Sequence, residues 1–544
     1  MRTLQSLTVI GHSSRLYETV HDVLSHPQTL AYQRQDAPQP VKCFNRLFYG
    51  LLLVGVLIRS VALLHPLVDH GLLRQAQTAA VTKSLIEQPG FAFSSHIPWA
   101  GDLNENFILE LPLYNYFVAG VFKITHQLDL SGKLVSIGLW AVSFALLQGI
   151  WRRCLRPSQV FWANLLFVSA PLGVFYSQAF MPESLVQTLA FGFVLLILRH
   201  DEKPTLARWT ACAATGMLAL LVKLPETAHL YLILAFLVFR RERWAALRRP
   251  QYWVAALITV AALKLWGGYM DSTNLQWLSE WTSKESLKLF IGSLHDRLQL
   301  KPWIMITLYL GAFVIPAVTT LMAAFGFWIL ARRERQPVLL LWFAGLALFY
   351  MVWFGNTATK QGYYNIVALA PLSAVFGIGT AFMLGNTGLL HWPRRSAVAM
   401  GIVTIACAVP GIIYLFAPDQ RILAAARWTH DHTTKNDLIV FQPNHRWDMR
   451  DYSYNAVLNY YSDRATVVWT RNTPERYRQA ALERGRYVIV THRPPVSDDK
   501  PSHWLAKFRG LDQWKPQSLD WLAANGFTPL TEQDEFSVYV RNSP

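Results

Sequence analysis

The feature that most restricts this chain is a succession of apolar runs long enough to cross a bilayer. A hydrocarbon core of about 30 Å takes about 20 apolar helical residues, with roughly 17 as a lower limit. Eleven candidate spans are centred on Leu47–Leu64, Leu134–Trp151, Val160–Tyr176, Ser184–Leu198, Arg208–Leu221, Thr227–Phe239, Trp253–Trp266, Trp303–Leu330, Leu340–Trp353, Tyr364–Leu384 and Val398–Phe416. Several are short and borrow flanking residues. With 52% hydrophobic and only 15% charged residues, the 544-residue chain is too apolar for a soluble protein of its size. Its net charge of +16 does not point to nucleic acid, because the basic residues sit in short clusters between apolar runs rather than along one soluble face. Residues 1–43 hold no apolar stretch of signal-peptide type, so the first span is expected to remain in the protein.

One apolar piece is excluded from the spans. "LPLYNYFVAGVFKI", Leu111 to Ile124, is short, carries Lys123 and has polar flanks, which suits an interfacial or re-entrant helix. Alternate loops then carry the basic clusters: Arg152, Arg153 and Arg156; Arg199, Lys203 and Arg208; Arg240, Arg241, Arg243, Arg248 and Arg249; Arg332, Arg333 and Arg335; Arg394 and Arg395. By the positive-inside rule these loops and the N-terminus face the cytoplasm, and an odd number of spans places the C-terminus outside. The expected division is a cytoplasmic segment 1–46, a transmembrane domain 47–417 with a first outer loop 65–131, and an outer domain 418–544. In that outer domain "DLIVF" (437–441), "TVVW" (466–469), "YVIV" (487–490) and "FSVYV" (536–540) read as strands. "PERYRQAALERG" (474–485) and "SLDWLAANG" (518–526) read as helices ending in glycine, which together suggest a soluble α/β domain. "HRWDMRDYSYN" (445–455) reads as a surface loop. The four cysteines, Cys43, Cys154, Cys212 and Cys407, lie in or beside the spans and indicate no disulfide framework.

The topology brings ionisable residues from distant parts of the chain to one membrane surface: Asp69, Arg74, Glu110, Glu183, Lys223 and Lys360. Each has an ordinary explanation. Asp69 is a favoured helix N-cap, and Arg74, Thr78 and Thr82 recur as one solvated helix face. Glu183 follows a proline where an acid suits the helix dipole, Lys223 can snorkel, and Tyr363 and Tyr364 fit an aromatic belt. Glu110, between two apolar stretches, is harder to explain that way, since ionisable groups in such places are costly and tend to be functional.

These stretches resemble a bacterial GT-C glycosyltransferase of the dolichyl-phosphate-mannose–protein mannosyltransferase and aminoarabinose-transferase superfamily. The first-loop pattern D-x-W-R-Q-A-D-T-A is met by "DHGLLRQAQTAA", with Asp69, a longer spacing and Gln77 in place of the second acid. "ELPLYNY" (110–116), "GKLVSIG" with Lys133 for arginine, "AFMPES" with Glu183, "LLVKLP" around Lys223, "KQGYYNIVALAPL" with Gln361 where histidine is frequent, and "YNAVLNYYSDR" follow in the family's order. The resemblance implies a GT-C fold of about 11–13 transmembrane helices with a C-terminal soluble α/β domain, in the inner membrane, the outer domain being periplasmic. It implies inverting transfer of a sugar from a polyprenyl-phosphate donor to a glycolipid, glycan or protein acceptor. Asp69 is then the base, with Glu183 orienting acceptor or sugar and Glu110 holding the first loop or a cation. Lys223, Lys360 and Arg74 would stabilise the departing phosphate, and Tyr114, Tyr363 and Tyr364 would line the substrate groove. This reading assigns no cofactor, and whether a divalent metal is needed, held among Asp69, Glu110 and Glu183, is left open. Two other readings are a lipid-linked glycan flippase or exporter, which calls for polar residues across the midplane, and a polymerase, which calls for one very large loop between spans.

Overall fold

The computed structural model describes residues 41–87, 93–98, 106–108, 110–273, 291–354, 362–385, 394–418, 420–442, 448–469, 473, 475–492 and 519–541. Its helices, in chain order, are α1 (Val41–Ser60), α2 (Leu72–Glu87), α3 (Leu113–Thr125), α4 (Leu128–Cys154), α5 (Pro157–Ser169), α6 (Pro171–Tyr176), α7 (Glu183–Glu202), α8 (Leu206–Thr227), α9 (Tyr231–Glu242) and α10 (Pro250–Thr273). There follow α11 (Leu294–Leu298), α12 (Leu300–Phe313), α13 (Val318–Ile329), α14 (Pro337–Val352), α15 (Leu369–Met383) and α16 (Arg394–Leu415). The C-terminal part adds α17 (Gln420–His432), α18 (Asp448–Ser462), α19 (Glu475–Arg484) and α20 (Asp520–Ala524). Among the described residues six helical segments are individually long and apolar enough to cross a membrane, and seven if one bent pair counts as a span. Lipid-facing character is plainest in α10, which buries none of its residues and exposes Leu257, Ile258 and Leu265.

The arginine clusters meet at one end of the bundle. Arg153 pairs with Glu202 and Arg240 with Asp201, Arg208 donates to the Arg199 and Lys203 carbonyls, and Arg156 faces Glu334. Both ends of the α8–α9 segment therefore lie beside residues 199–203, so this long apolar stretch folds back as a hairpin, and Tyr231 packs beside Gly216. The other end of the bundle carries the C-terminal domain and is called the domain side below.

One expected span is corrected. Trp303–Leu330 is not a single crossing: α12 and α13 meet at 109°. Pro316 and the positive φ of Ala317 (50°) mark the turn. Both ends of α12 stay on the domain side. Arg297, just before it, donates to the carbonyl of Met351 at the end of α14, and Phe313 at its end packs on Tyr414 near the end of α16. Only α13 crosses. The crossing is dense: a Cβ on Gly326 would fall 1.8 Å from the Val375 carbonyl oxygen, and one on Gly379 would fall 2.1 Å from that of Met322. Backbone cannot yield as a side-chain tip can. Gly326→Val is therefore expected to lower stability by about 1–3 kcal/mol or more. Gly401→Ala, with nothing within 4 Å of the added atom, should stay within about 0.5 kcal/mol. Thermal unfolding in detergent compares the two.

Helix α3 is the apolar piece excluded from the spans. Its 13 residues give about 20 Å of helix, and it ends in a left-handed residue, His126, that turns the chain straight into α4. Inside the bundle, Arg59 is fully buried: it donates to the carbonyls of Gly55 and Val168 and to Ser177 Oγ, and its guanidinium stacks 3.7 Å over Trp140. It ties α1 to α5 and to the turn that follows α6. Cys154, Cys212 and Cys407 are free thiols.

The C-terminal domain holds a five-stranded sheet of β3 (Leu438–Gln442), β4 (Ala465–Val468), β5 (Gly485–Thr491), β6 (Thr528–Glu532) and β7 (Phe536–Val540), in the order β4-β3-β5-β7-β6. β4, β3 and β5 are parallel; β7 and β6 join antiparallel. Four strands lie where alternation and β-branched content place them, while β6, whose TPLTE sequence is mostly exposed, gives no such pattern. The stretch expected as a surface loop at 445–455 instead enters α18 at Asp448. A two-stranded ribbon, β1 (Ser95–His96) with β2 (Asn106–Phe107), belongs to the first loop. Val68, Ala76, Val81, Leu85, Ile97 and Phe107 of that loop share one core with Ile422, Ala426, Ile439, Phe441, Val457, Ile489 and Val538 of the domain. The first loop and the C-terminal domain are thus packed as one body.

Candidate active site

The site is built where the first loop meets the domain-side ends of the helices. After α1 the chain turns at Ala62–His65, and Lys133, fully buried in α4, donates to the carbonyls of Ala62 (2.7 Å) and His65 (2.5 Å). At Gly71 the backbone takes φ 79°, a conformation that favours glycine, and the Gly71 carbonyl accepts the first amides of α2, from Arg74 and Gln75. This sharp entry puts Asp69 beneath its own following helix. Asp69 does not act as a side-chain cap. Its Oδ1 accepts from Gln75 Nε2 (2.5 Å), and Gln75 Oε1 in turn accepts from the Phe180 amide (3.1 Å). Oδ2 is buried and accepts no hydrogen bond among the described residues. Burial pushes the Asp69 carboxyl up to about 7, against the opposing pull of Lys133 and Gln75.

A second cluster centres on Lys223. Helix α8 is interrupted there by extended backbone ahead of Pro225, which lacks the amide a continuing helix requires. The buried Lys223 Nζ lies 2.5 Å from Glu183 Oε1 and 2.7 Å from Glu226 Oε1, and 4.5 and 4.8 Å from the ring centres of Tyr363 and Tyr364. Glu183 opens α7 and is fully buried, and its Oε2 accepts no hydrogen bond among the described residues. Beside this cluster Arg74 Nη2 reaches both oxygens of Glu110 at 3.1 and 3.2 Å, and Arg74 lies within electrostatic reach of Glu183, Tyr363 and Tyr364. Tyr176 lies within such reach of Asp69, Glu183 and Tyr363 alike.

Asp69, Arg74, Glu110, Glu183, Lys223, Tyr363 and Tyr364 are therefore gathered on the domain side as the sequence expectation had it. Tyr363 and Tyr364 flank Lys223 rather than standing in an aromatic belt. Tyr114 is fully buried, its hydroxyl donating to the Gly132 carbonyl and meeting Ser136, so it packs α3 on α4 and faces no open groove. Lys360 lies outside the described residues. Sequence reasoning gave no role to Glu226, Gln75 or Tyr176; Glu226 offered a signal, as the acid three positions after Lys223. The acids do not form a metal set: Glu110 and Glu183 face cations, and among the described residues no three His, Cys, Asp or Glu side chains are grouped to hold a metal ion.

The fold has known counterparts. It superimposes on ArnT from Cupriavidus metallidurans bound to undecaprenyl phosphate with a TM-score of 0.58 and 11% identity, covering 92% of this chain and 98% of that one. The apo state of the same protein gives 0.57 and 12%, with the same coverage. No curated protein matches this chain in sequence. The likeness, at this low identity, shows the fold type: a multi-span helical membrane protein with a C-terminal sheet-containing domain. Residues 110–266, the stretch that contributes Glu110, Glu183, Lys223 and Glu226, match the model of the dolichyl-phosphate-mannose-protein mannosyltransferase family.

Proposed function

We propose that this chain is a polyprenyl-phosphate-sugar-dependent glycosyltransferase acting at the domain side of the membrane. The observation that carries the reading is the free, buried Oδ2 of Asp69, fixed by Gln75 and raised toward neutrality, with Tyr176 linking it to the cluster of Lys223, Glu183 and Arg74. The GT-C fold and a structural counterpart solved with undecaprenyl phosphate support a lipid-linked donor. In this reading an acceptor hydroxyl loses its proton to Asp69 Oδ2 as its oxygen attacks the anomeric carbon. The bond from that carbon to the phosphate oxygen breaks, the polyprenyl phosphate leaves with the electron pair, and the configuration inverts. A carboxylate titrating near neutrality suits proton abstraction at physiological pH. Lys223 donates to Glu183 and pairs with Glu226 at 2.7 Å, and in this reading another of its three N–H donors meets a phosphate oxygen. Arg74 adds charge stabilisation from the other side. Glu183 and Glu226 hold Lys223 in place, and Glu110 does the same for Arg74. The domain side corresponds to the periplasmic face in this reading, and the acceptor is a glycolipid, glycan or protein hydroxyl.

The test is transfer from a panel of radiolabelled polyprenyl-phosphate sugars in membranes holding the full-length protein. One donor is expected to label an endogenous acceptor above the level of membranes lacking the protein. Movement of labelled lipid between leaflets without any transfer would instead favour the flippase reading.

A further inference from the structure

We propose that Tyr461 is a positioning residue for the Asp69 loop: its hydroxyl hangs the loop backbone at Leu67 from the C-terminal domain, with Asp129 as the fixed point. The mechanistic part of this proposal rests on the reading of Asp69 as base. Tyr461 Oη accepts from the Leu67 amide (2.7 Å) and donates to Asp129 Oδ2 (2.7 Å). Tyr460 Oη donates to Asp129 Oδ1 (2.5 Å) but makes no described bond to the loop. Asp129 sits in the first turn of α4, where an acid is favoured by the helix dipole, and Lys133 follows one turn later. The segment before Asp69 is thereby gripped on two sides. Lys133 holds the carbonyls of Ala62 and His65, Tyr461 holds the amide of Leu67, and beyond Asp69 the His70 amide donates to Leu415. Two of these anchors, Lys133 and Asp129, share one rigid helix. Tyr461 is the anchor that reaches the loop at Leu67 from the C-terminal domain, and the amide it holds lies two residues before the carboxylate it would place.

A tyrosine hydroxyl is well suited to this task. It accepts and donates at once, so a single atom satisfies a loop amide and is itself fixed by a carboxylate. Removing it leaves the Leu67 amide without its partner and frees the turn to open, letting water reach Asp69. The groups facing Asp69 from its surroundings are Lys133 of α4, Tyr176 of α6 and Tyr461 of the domain, with His70 beside it in the chain.

The experiment compares Tyr461→Phe with Tyr460→Phe in the full-length protein. Both substitutions remove one hydroxyl and one bond to Asp129, but only the first releases the loop. The first readout is labelling of Asp69 by a water-soluble carbodiimide with an amine, followed by peptide mass spectrometry. Tyr461→Phe is expected to raise the labelling rate about fivefold to tenfold, as one lost buried hydrogen bond shifts a local opening equilibrium. Tyr460→Phe should label like wild type. This arm needs no transfer activity, so it stands even if the transferase reading fails. The second readout is the reaction. Tyr461→Phe should lower kcat by about tenfold to a hundredfold with little change in donor KM, and should move the pH midpoint of kcat downward as Asp69 becomes hydrated. Tyr460→Phe should keep that midpoint. Asp129→Asn, which keeps one acceptor oxygen, should fall between them in labelling. Wild-type labelling in Tyr461→Phe overturns the proposal. So does an equal rise in both tyrosine variants, which would mean that the domain contact as a whole, and not the Leu67 bond, protects Asp69.

Discussion

Asp69→Asn is expected to lower transfer by about 10²–10⁴-fold, the range that a positioned general base contributes, while leaving donor binding in place. Asparagine keeps the shape and can still accept from Gln75, so the loop should hold its course; what is lost is the ability to take a proton. In the wild type, activity should rise with pH through a midpoint near 7, because the raised carboxyl must be ionised to act and is protonated below that value. That limb should vanish in the variant, whose residual rate should be flat over the same window. A pH series of kcat, with donor binding measured separately, checks both statements. An unchanged rate in Asp69→Asn would pass the role of base to Glu183, whose Oε2 is likewise buried and accepts no hydrogen bond among the described residues.

The second large effect concerns Lys223. Replacing it with methionine leaves Glu183 and Glu226 buried with no cation between them, and breaking a buried ion pair from one side costs about 3–5 kcal/mol. A marked fall in thermal stability should accompany complete loss of transfer. The two consequences are separable. Lys223→Met combined with Glu183→Gln and Glu226→Gln removes the stranded charges and should recover much of the stability. It should recover none of the activity, since no ammonium is left to meet the phosphate. Recovery of transfer in the triple variant would exclude Lys223 from the chemistry.

The membrane-spanning part was legible because the bilayer imposes a length, and arginine placement then gives the alternation; α4, α7, α10 and α16 follow directly from those two rules. The rule fails at Trp303–Leu330. Apolarity alone cannot distinguish one crossing from a surface helix turning into a crossing, although Pro316 stood in the run as a warning. The gathering of acids and bases at one surface was legible as well, whereas their pairing was not. Lys223 lies 40 positions from Glu183 and Arg74 lies 36 from Glu110, and no local pattern selects one acid over another. The tasks of Gln75 and Tyr461 escaped for the same reason, since each depends on a backbone amide brought near by tertiary packing. Helix α18 was misread because its polar, aromatic start resembles a loop until its buried positions, Ala456 to Leu458, have a core to face.

The shared core of the first loop and the C-terminal domain also sets a timetable. Leu67 and Tyr461 are 394 positions apart, and at about 5–20 residues per second a ribosome needs about 20–80 s to cover that distance. Through that interval the loop has left the membrane with Val68, Ala76, Ile97 and Phe107 lacking the partners that will bury them. The Asp69 turn is among the first parts of the protein to be made and among the last to be completed. A nascent chain halted between α16 and α18 would hold all the apolar helices of the bundle while the Asp69 loop still lacked these partners.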